Sequence, residues 1–134
     1  KNIIQLEYAM GSAIQSFFNA EVLVVNRDRF FPIKKISDYL LLMSDFTTIN
    51  NEGRLIWDIS SQPNIECFEP FNSISGFKNH FNFIPSIKHV NKLHLGGSVF
   101  FDSYVELFGD INLVNNSKQA LRINSDTDFS QFSF

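Results

Sequence analysis

The chain contains one cysteine, Cys67, so no internal disulfide can form, and a reducing, cytoplasmic setting is expected. No apolar run approaches the roughly eighteen residues that cross a bilayer, and no signal-peptide pattern is present, so no membrane association is expected. The net charge is only −3, which leaves no basic footprint for nucleic acid. The six glycines form neither a GxGxxG nor a Walker-type nucleotide loop. The three histidines, His80, His89 and His94, have no second ligand type at metal spacing, and Cys67 has no activating neighbour in sequence. Neither a metal site nor His- or Cys-based nucleophilic catalysis is expected.

Aromatic rings and apolar periodicities are abundant, with sixteen Phe among 134 residues. Leu6, Met10, Ala13, Ile14, Phe17 and Phe18 fall at helical spacings and predict an amphipathic helix over residues 6 to 18. Lys1 lies just ahead of this helix, as the start of a fragment would. Glu21 to Val25 is apolar on both faces, as in a covered parallel sheet, and predicts a strand. A second helix is predicted from Ser37, as N-cap, to Phe46, with Asp38 at the positive end of its dipole. Two helices and one strand cannot make a sheet, so the missing strands must come from sequence outside this chain or from a partner. Residues 1 to 60 are therefore expected to be the closing part of a larger α/β domain.

Residues 61–134 are expected to hold a connector, a short helix and a β region. Pro63 and Pro70 mark Ser60 to Phe71 as a connection, and Ile74, Phe77 and Phe81 predict one face of a helix ended by Ile84-Pro85. Beyond it, apolar pairs recur every six residues, at Leu93/Leu95, Val99/Phe101, Val105/Leu107 and Ile111/Leu113. Leu121/Ile123 repeats the pair after ten residues. The hexad pattern fits a β-helix, but the pattern alone leaves an antiparallel meander equally open. Asn115-Asn116-Ser117 reads formally as a glycosylation sequon and carries little weight in an Asn-rich chain.

The segment Arg27-Asp28-Arg29-Phe30-Phe31-Pro32-Ile33-Lys34 places cations and an aromatic ring on a loop after the predicted strand, where α/β proteins usually bind ligands. Its wording resembles the UDP-glucose pyrophosphorylases (UTP–glucose-1-phosphate uridylyltransferases), which commonly read Arg-x-Arg-Phe-Leu-Pro-Val-Lys. Leu6-Glu7-Tyr8-Ala9-Met10-Gly11, Ser37-Asp38-Tyr39-Leu40-Leu41-Leu42 with Ser44-Asp45, Ile84-Pro85-Ser86-Ile87 and Gly97-Ser98-Val99-Phe100-Phe101 are similar to further motifs of that family, in order and spacing. The resemblance implies an α/β region followed by β: the end of a Rossmann-like nucleotidyltransferase domain plus a short left-handed β-helix.

It also implies a reaction: UTP and glucose-1-phosphate give UDP-glucose and pyrophosphate, with Mg²⁺ as cofactor and its ligands outside this chain. Lys34 falls at the family's catalytic lysine position, and Phe30 at that of an aromatic beside the sugar. The alternatives are a surface lysine and a core phenylalanine. Arg27 and Arg29 could reach substrate or pair with Asp28, Asp38 or Glu21. Tyr8, Asn26, Lys35 and Ile36 depart from the family pattern, and the family's Gly-rich nucleotide loop is not in this chain. The chain alone is thus expected to be inactive. Rival readings are a sibling enzyme acting on N-acetylglucosamine-1-phosphate and a non-catalytic module forming homo-oligomers through the β-helix; a hexapeptide-repeat acyltransferase is more distant.

Overall fold

The computed structural model describes residues 13–26, 30–57 and 61–133. These fall into two compact units, residues 1–30 and Phe31–Phe134. In the first, Ile14–Ser16 is a single 3₁₀ turn. Most of the helix expected over residues 6 to 18 lies outside the described residues, but Phe17 and Phe18 are exposed rather than on a buried face.

The strand expected from Glu21 to Val25 is not formed. Val22, Leu23 and Val24 are 75, 86 and 87 % exposed and lie in irregular backbone. A strand meant for burial on both faces needs neighbours on both edges, and no strand among the described residues pairs with this one.

The larger unit is a mixed α/β arrangement of parallel and antiparallel sheets. Helix α1 (Ile36–Met43) is followed by the small antiparallel pair β1 (Thr48–Ile49) and β2 (Leu55–Ile56), then by β3 (Asn64–Cys67) and helix α2 (Ile74–His80). Strands β4 (Ser86–Gly97), β5 (Val99–Phe101), β6 (Glu106–Asn115) and β7 (Leu121–Ile123) complete it, with a 3₁₀ turn at Phe129–Phe132. The order β3-β4-β6 is parallel throughout, and β5 pairs with β7, also in parallel.

Every side chain of the four hexad pairs is buried, none more than 7 % exposed. The stacking follows the repeat. Leu93 and Leu95 register with Ile111 and Leu113, three hexads later, and with Ile65 and Cys67 on the other side. Val99 and Phe101 register with Leu121 and Ile123. An antiparallel meander would have paired sequence neighbours, so these strands are not one. The ten-residue step after Ile111 is absorbed outside the ladder. Asn115 Nδ2 donates to Ser98 O (2.9 Å) and Gln119 O (2.8 Å), and its Oδ1 accepts from Ser117 N (3.1 Å), closing the extra residues into a loop. The sequon asparagine is thereby committed to the fold.

Three further expectations change. The connection from Ser60 to Phe71 contains β3, where only Ile65 and Cys67 alternate inward, too short a signal to register between two prolines. Helix α2 is capped by Ser73, which accepts from Gly76 N, and buries Phe77 and its C-cap Phe81, but Ile74 is half exposed. Helix α1 starts before Ser37: Lys35 is its N-cap, and the Asp38 carboxylate accepts from the backbone N–H groups of Lys34 (2.8 Å) and Lys35 (2.9 Å). A carboxylate three residues into the helix serves these donors better than a hydroxyl at Ser37 could. Leu40 and Leu41 carry α1 into the same core as the parallel strands.

Candidate functional site

Lys34 lies one residue before the N-cap of α1, exposed, at the border of an open cleft of about 470 Å³. The opposite wall is β3 and the turn after it, contributing Glu66, Cys67, Phe68 and Asn72. Lys35 borders the same cleft. Because Asp38 already takes the Lys34 and Lys35 amides, anion binding here would fall to the two ammonium groups rather than to those backbone donors. Lys34 is therefore an exposed cation whose backbone N–H is held by Asp38.

Phe30 is half exposed and lies at the end of the 1–30 unit. Arg27 and Arg29 lie outside the described residues. Phe31, one residue beyond Phe30, packs edge-on against Trp57 with centroids 4.9 Å apart.

The cleft's other wall went unread in sequence. Glu66 and Asn72 are separated from Lys34 by α1 and the β1–β2 pair, and β3 was too short to show as a strand. Glu66 is opposite His94 in the ladder, with Oε2 3.6 Å from His94 Nε2, and Phe68 meets the His94 ring edge-on at 5.7 Å. Cys67 is half-buried, and burial pushes its thiol up to about 11, so it remains protonated and is a poor nucleophile at neutral pH.

The histidines do other work. His80 Nδ1 is 2.8 Å from Gly76 O, and its ring stacks on Phe100 at 4.5 Å; His89 stacks on Phe108 at 5.4 Å. Among the described residues no three His, Cys, Asp or Glu side chains converge as a metal site, and no helix is long and apolar enough to cross a membrane.

A family model described as UTP–glucose-1-phosphate uridylyltransferase matches residues 1–107. Curated relatives include the UTP–glucose-1-phosphate uridylyltransferase of Solanum tuberosum, 38% identical over 125 residues, covering 90% of this chain and 26% of that protein. The enzyme of the same name from Saccharomyces cerevisiae is 38% identical over 116 residues, covering 84% of this chain and 23% of the relative. The chain thus spans about a quarter of the length of these relatives. Among solved structures, a UDP-glucose phosphorylase from Trypanosoma brucei is similar with a TM-score of 0.70 and 33% identity, over 91% of this chain and 27% of that one. A mutant UDP-glucose pyrophosphorylase from Leishmania major, solved in complex with UDP-glucose, gives a TM-score of 0.67 and 30% identity, over 91% and 27%.

Proposed function

Because the chain belongs to the UTP–glucose-1-phosphate uridylyltransferase family, we propose that it is the C-terminal part of an enzyme making UDP-glucose and pyrophosphate from UTP and glucose-1-phosphate. The observation that carries this reading is Lys34, exposed at an open cleft with its backbone pinned to the start of α1. In the proposed reaction a phosphate oxygen of the sugar phosphate attacks the α-phosphorus of UTP, the bond to the β-phosphate bridging oxygen breaks, and pyrophosphate leaves. The nucleophile is already ionised at neutral pH, so no general base is needed. What remains is to hold two polyanions together and neutralise charge on the transferring phosphorus, work for a positioned cation.

Mg²⁺ belongs to this reading as a further neutralising charge for the intact enzyme. Its ligands are assigned to the rest of the protein and to the substrate phosphates, because Mg²⁺ takes only one or two carboxylates beside phosphate oxygens and water. Phe30 is proposed to pack against the hexose. The nucleotide-binding loop is assigned to the rest of the protein, so the chain by itself is proposed to be inactive. Residues 1–60 are read as the closing elements of a Rossmann-like domain, a reading supported by the exposed apolar segment Val22 to Val25, with which no strand among the described residues pairs. The parallel strands of residues 61–134 are assigned to a short left-handed β-helix, supported by the three-hexad register. Their sheet edges support a second role, homo-oligomer formation. A cytoplasmic location fits the free thiol of Cys67.

The test is Lys34→Ala in the intact protein, measuring the forward rate and UTP affinity separately. Loss of a transition-state cation should lower kcat by roughly 10²–10³-fold or more while UTP binding persists. Near-normal turnover would return Lys34 to the status of an ordinary surface lysine.

A further inference from the structure

The helix that presents Lys34 is tied at its far end to a strand 41 residues away in sequence. Asp45 lies just beyond α1. Its carboxylate accepts from the Ser86 hydroxyl through Oδ2 and from the Ile87 backbone N–H through Oδ1 (3.1 Å). Ser86 is buried, and its own N–H donates to Val105 O at 2.9 Å, so the anchor point is itself fixed to the parallel strands.

Helix α1 does not need Asp45 for capping. Leu40 O receives Ser44 N (3.0 Å), Leu41 O receives Ser44 Oγ (3.0 Å), and Leu42 O receives Thr47 Oγ1 (2.9 Å). Nor does the helix need it for burial, since Leu40, Leu41 and Phe46 hold it to the core. Apolar burial is non-directional, however, and would permit small slides and rotations of the helix. Two hydrogen bonds to one carboxylate fix direction as well as distance. At the other end, Asp38 ties the Lys34 and Lys35 amides to the first turn. A continuous chain of directional contacts therefore runs from β4 through Asp45, α1 and Asp38 to the Lys34 backbone.

We propose that Asp45 is a positioning residue for Lys34, setting where the lysine meets the phosphates by fixing α1 against β4. The inference rests on the catalytic reading of Lys34. A displacement of about 1 Å at a reacting centre is worth on the order of 10²-fold in rate, so a small loosening of α1 is enough to be read kinetically.

The experiment uses the intact protein, with Asp45→Ala, Asp45→Asn and Ser86→Ala each made in the wild-type and Lys34→Ala backgrounds. Asp45→Ala is expected to lower kcat roughly 10–100-fold with the KM for UTP little changed. Asp45→Asn keeps an acceptor for Ile87 N and is expected to recover most of that loss. In the Lys34→Ala background, Asp45→Ala should cost less than about threefold, because the residue it positions is gone. Should Asp45→Ala fail to fold, Ser86→Ala, which removes one donor and leaves the other, carries the same comparison. Wild-type kcat in Asp45→Ala (or in Ser86→Ala, should Asp45→Ala not fold), or an equal fold-loss in both backgrounds, would overturn the proposal. Near-normal turnover of Lys34→Ala alone would instead remove the catalytic reading on which it rests.

Discussion

Gly97 closes β4 at φ +68°, and its Cα faces the backbone of β6. A Cβ placed there would lie 2.0 Å from the Asn115 carbonyl oxygen and 2.7 Å from its carbon. Neither atom can swing aside, because both are backbone, and that oxygen accepts from Ser98 N at 2.9 Å. Gly97→Ala should therefore carry two costs. The left-handed conformation costs about 1–2 kcal/mol for a residue with a Cβ, and forcing packed strands apart costs about 1–3 kcal/mol more. Gly109 supplies the control. Its φ is +70°, but nothing lies within 4 Å of an added Cβ, so Gly109→Ala should carry only the first, about 1–2 kcal/mol. Amide hydrogen exchange in the intact protein reads local opening directly. Gly97→Ala is expected to lower protection at Ser98 and Leu121, which flank the Asn115 corner, by about 30- to 5,000-fold; Gly109→Ala should lower it around β6 by about 5- to 30-fold. Equal losses for the two substitutions, or full protection at Ser98 in Gly97→Ala, would refute the steric argument.

Two predictions concern ionisation. With its thiol pushed up to about 11, Cys67 at pH 8 is only about one part in 10³ thiolate, against roughly a quarter for an unperturbed thiol. Iodoacetamide should therefore modify it about 10²-fold more slowly in the folded chain than in urea, with the folded rate rising about tenfold per pH unit up to pH 10; equal rates at pH 8 would contradict this. The Asp128 carboxyl is held below its ordinary value by hydrogen bonds from the Ser130 side chain, then the Ser130 backbone N–H, then the Gln131 side chain. A depressed carboxyl stabilises the Phe129–Phe132 turn fully above the ordinary carboxylate range and loses that effect as pH falls through the depressed value. The exchange protection factor of Ser130 should thus drop only below about pH 4 and lose its pH step in Asp128→Asn, whereas a drop beginning above pH 5 would exclude this cause.

What could be read in the sequence, and what could not, divides by the range of the forces. The inward pairs from Leu93 to Leu113 were legible because burial on a sheet face imposes period two on the chain itself, and all are buried. The parallel register three hexads apart followed from the same repeat, once the meander was set aside by the observed pairing. The strand from Val22 to Val25 carried an equally strong apolar signal, yet it is exposed. Hydropathy reports what a segment needs to bury, and strand formation also needs edges to pair with, which no described residue supplies. Helix α1 was located, but its start was misread by two residues, because Asp38 reaches back to the Lys34 and Lys35 amides. Lys34 itself was found through its resemblance to a family motif, whereas Glu66, Cys67 and Asn72 across the cleft carried no local signal at all.

The same division explains why some motif residues look functional and are architectural. Ser44-Asp45 and Ile84-Pro85-Ser86-Ile87 stand far apart in sequence, as two separate family-like motifs. In the fold they are halves of one joint: Ser44 closes α1, and Asp45 crosses to Ser86 and Ile87. Gly97, part of the Gly97-Ser98-Val99-Phe100-Phe101 motif, is a close-approach position against Asn115. Of these residues, Asp45 bears on the proposed chemistry, by tying α1 to β4. A substitution at Asp45 should therefore be visible in turnover without being visible in UTP binding, the signature that separates a residue holding a catalytic group in place from one that touches the substrate.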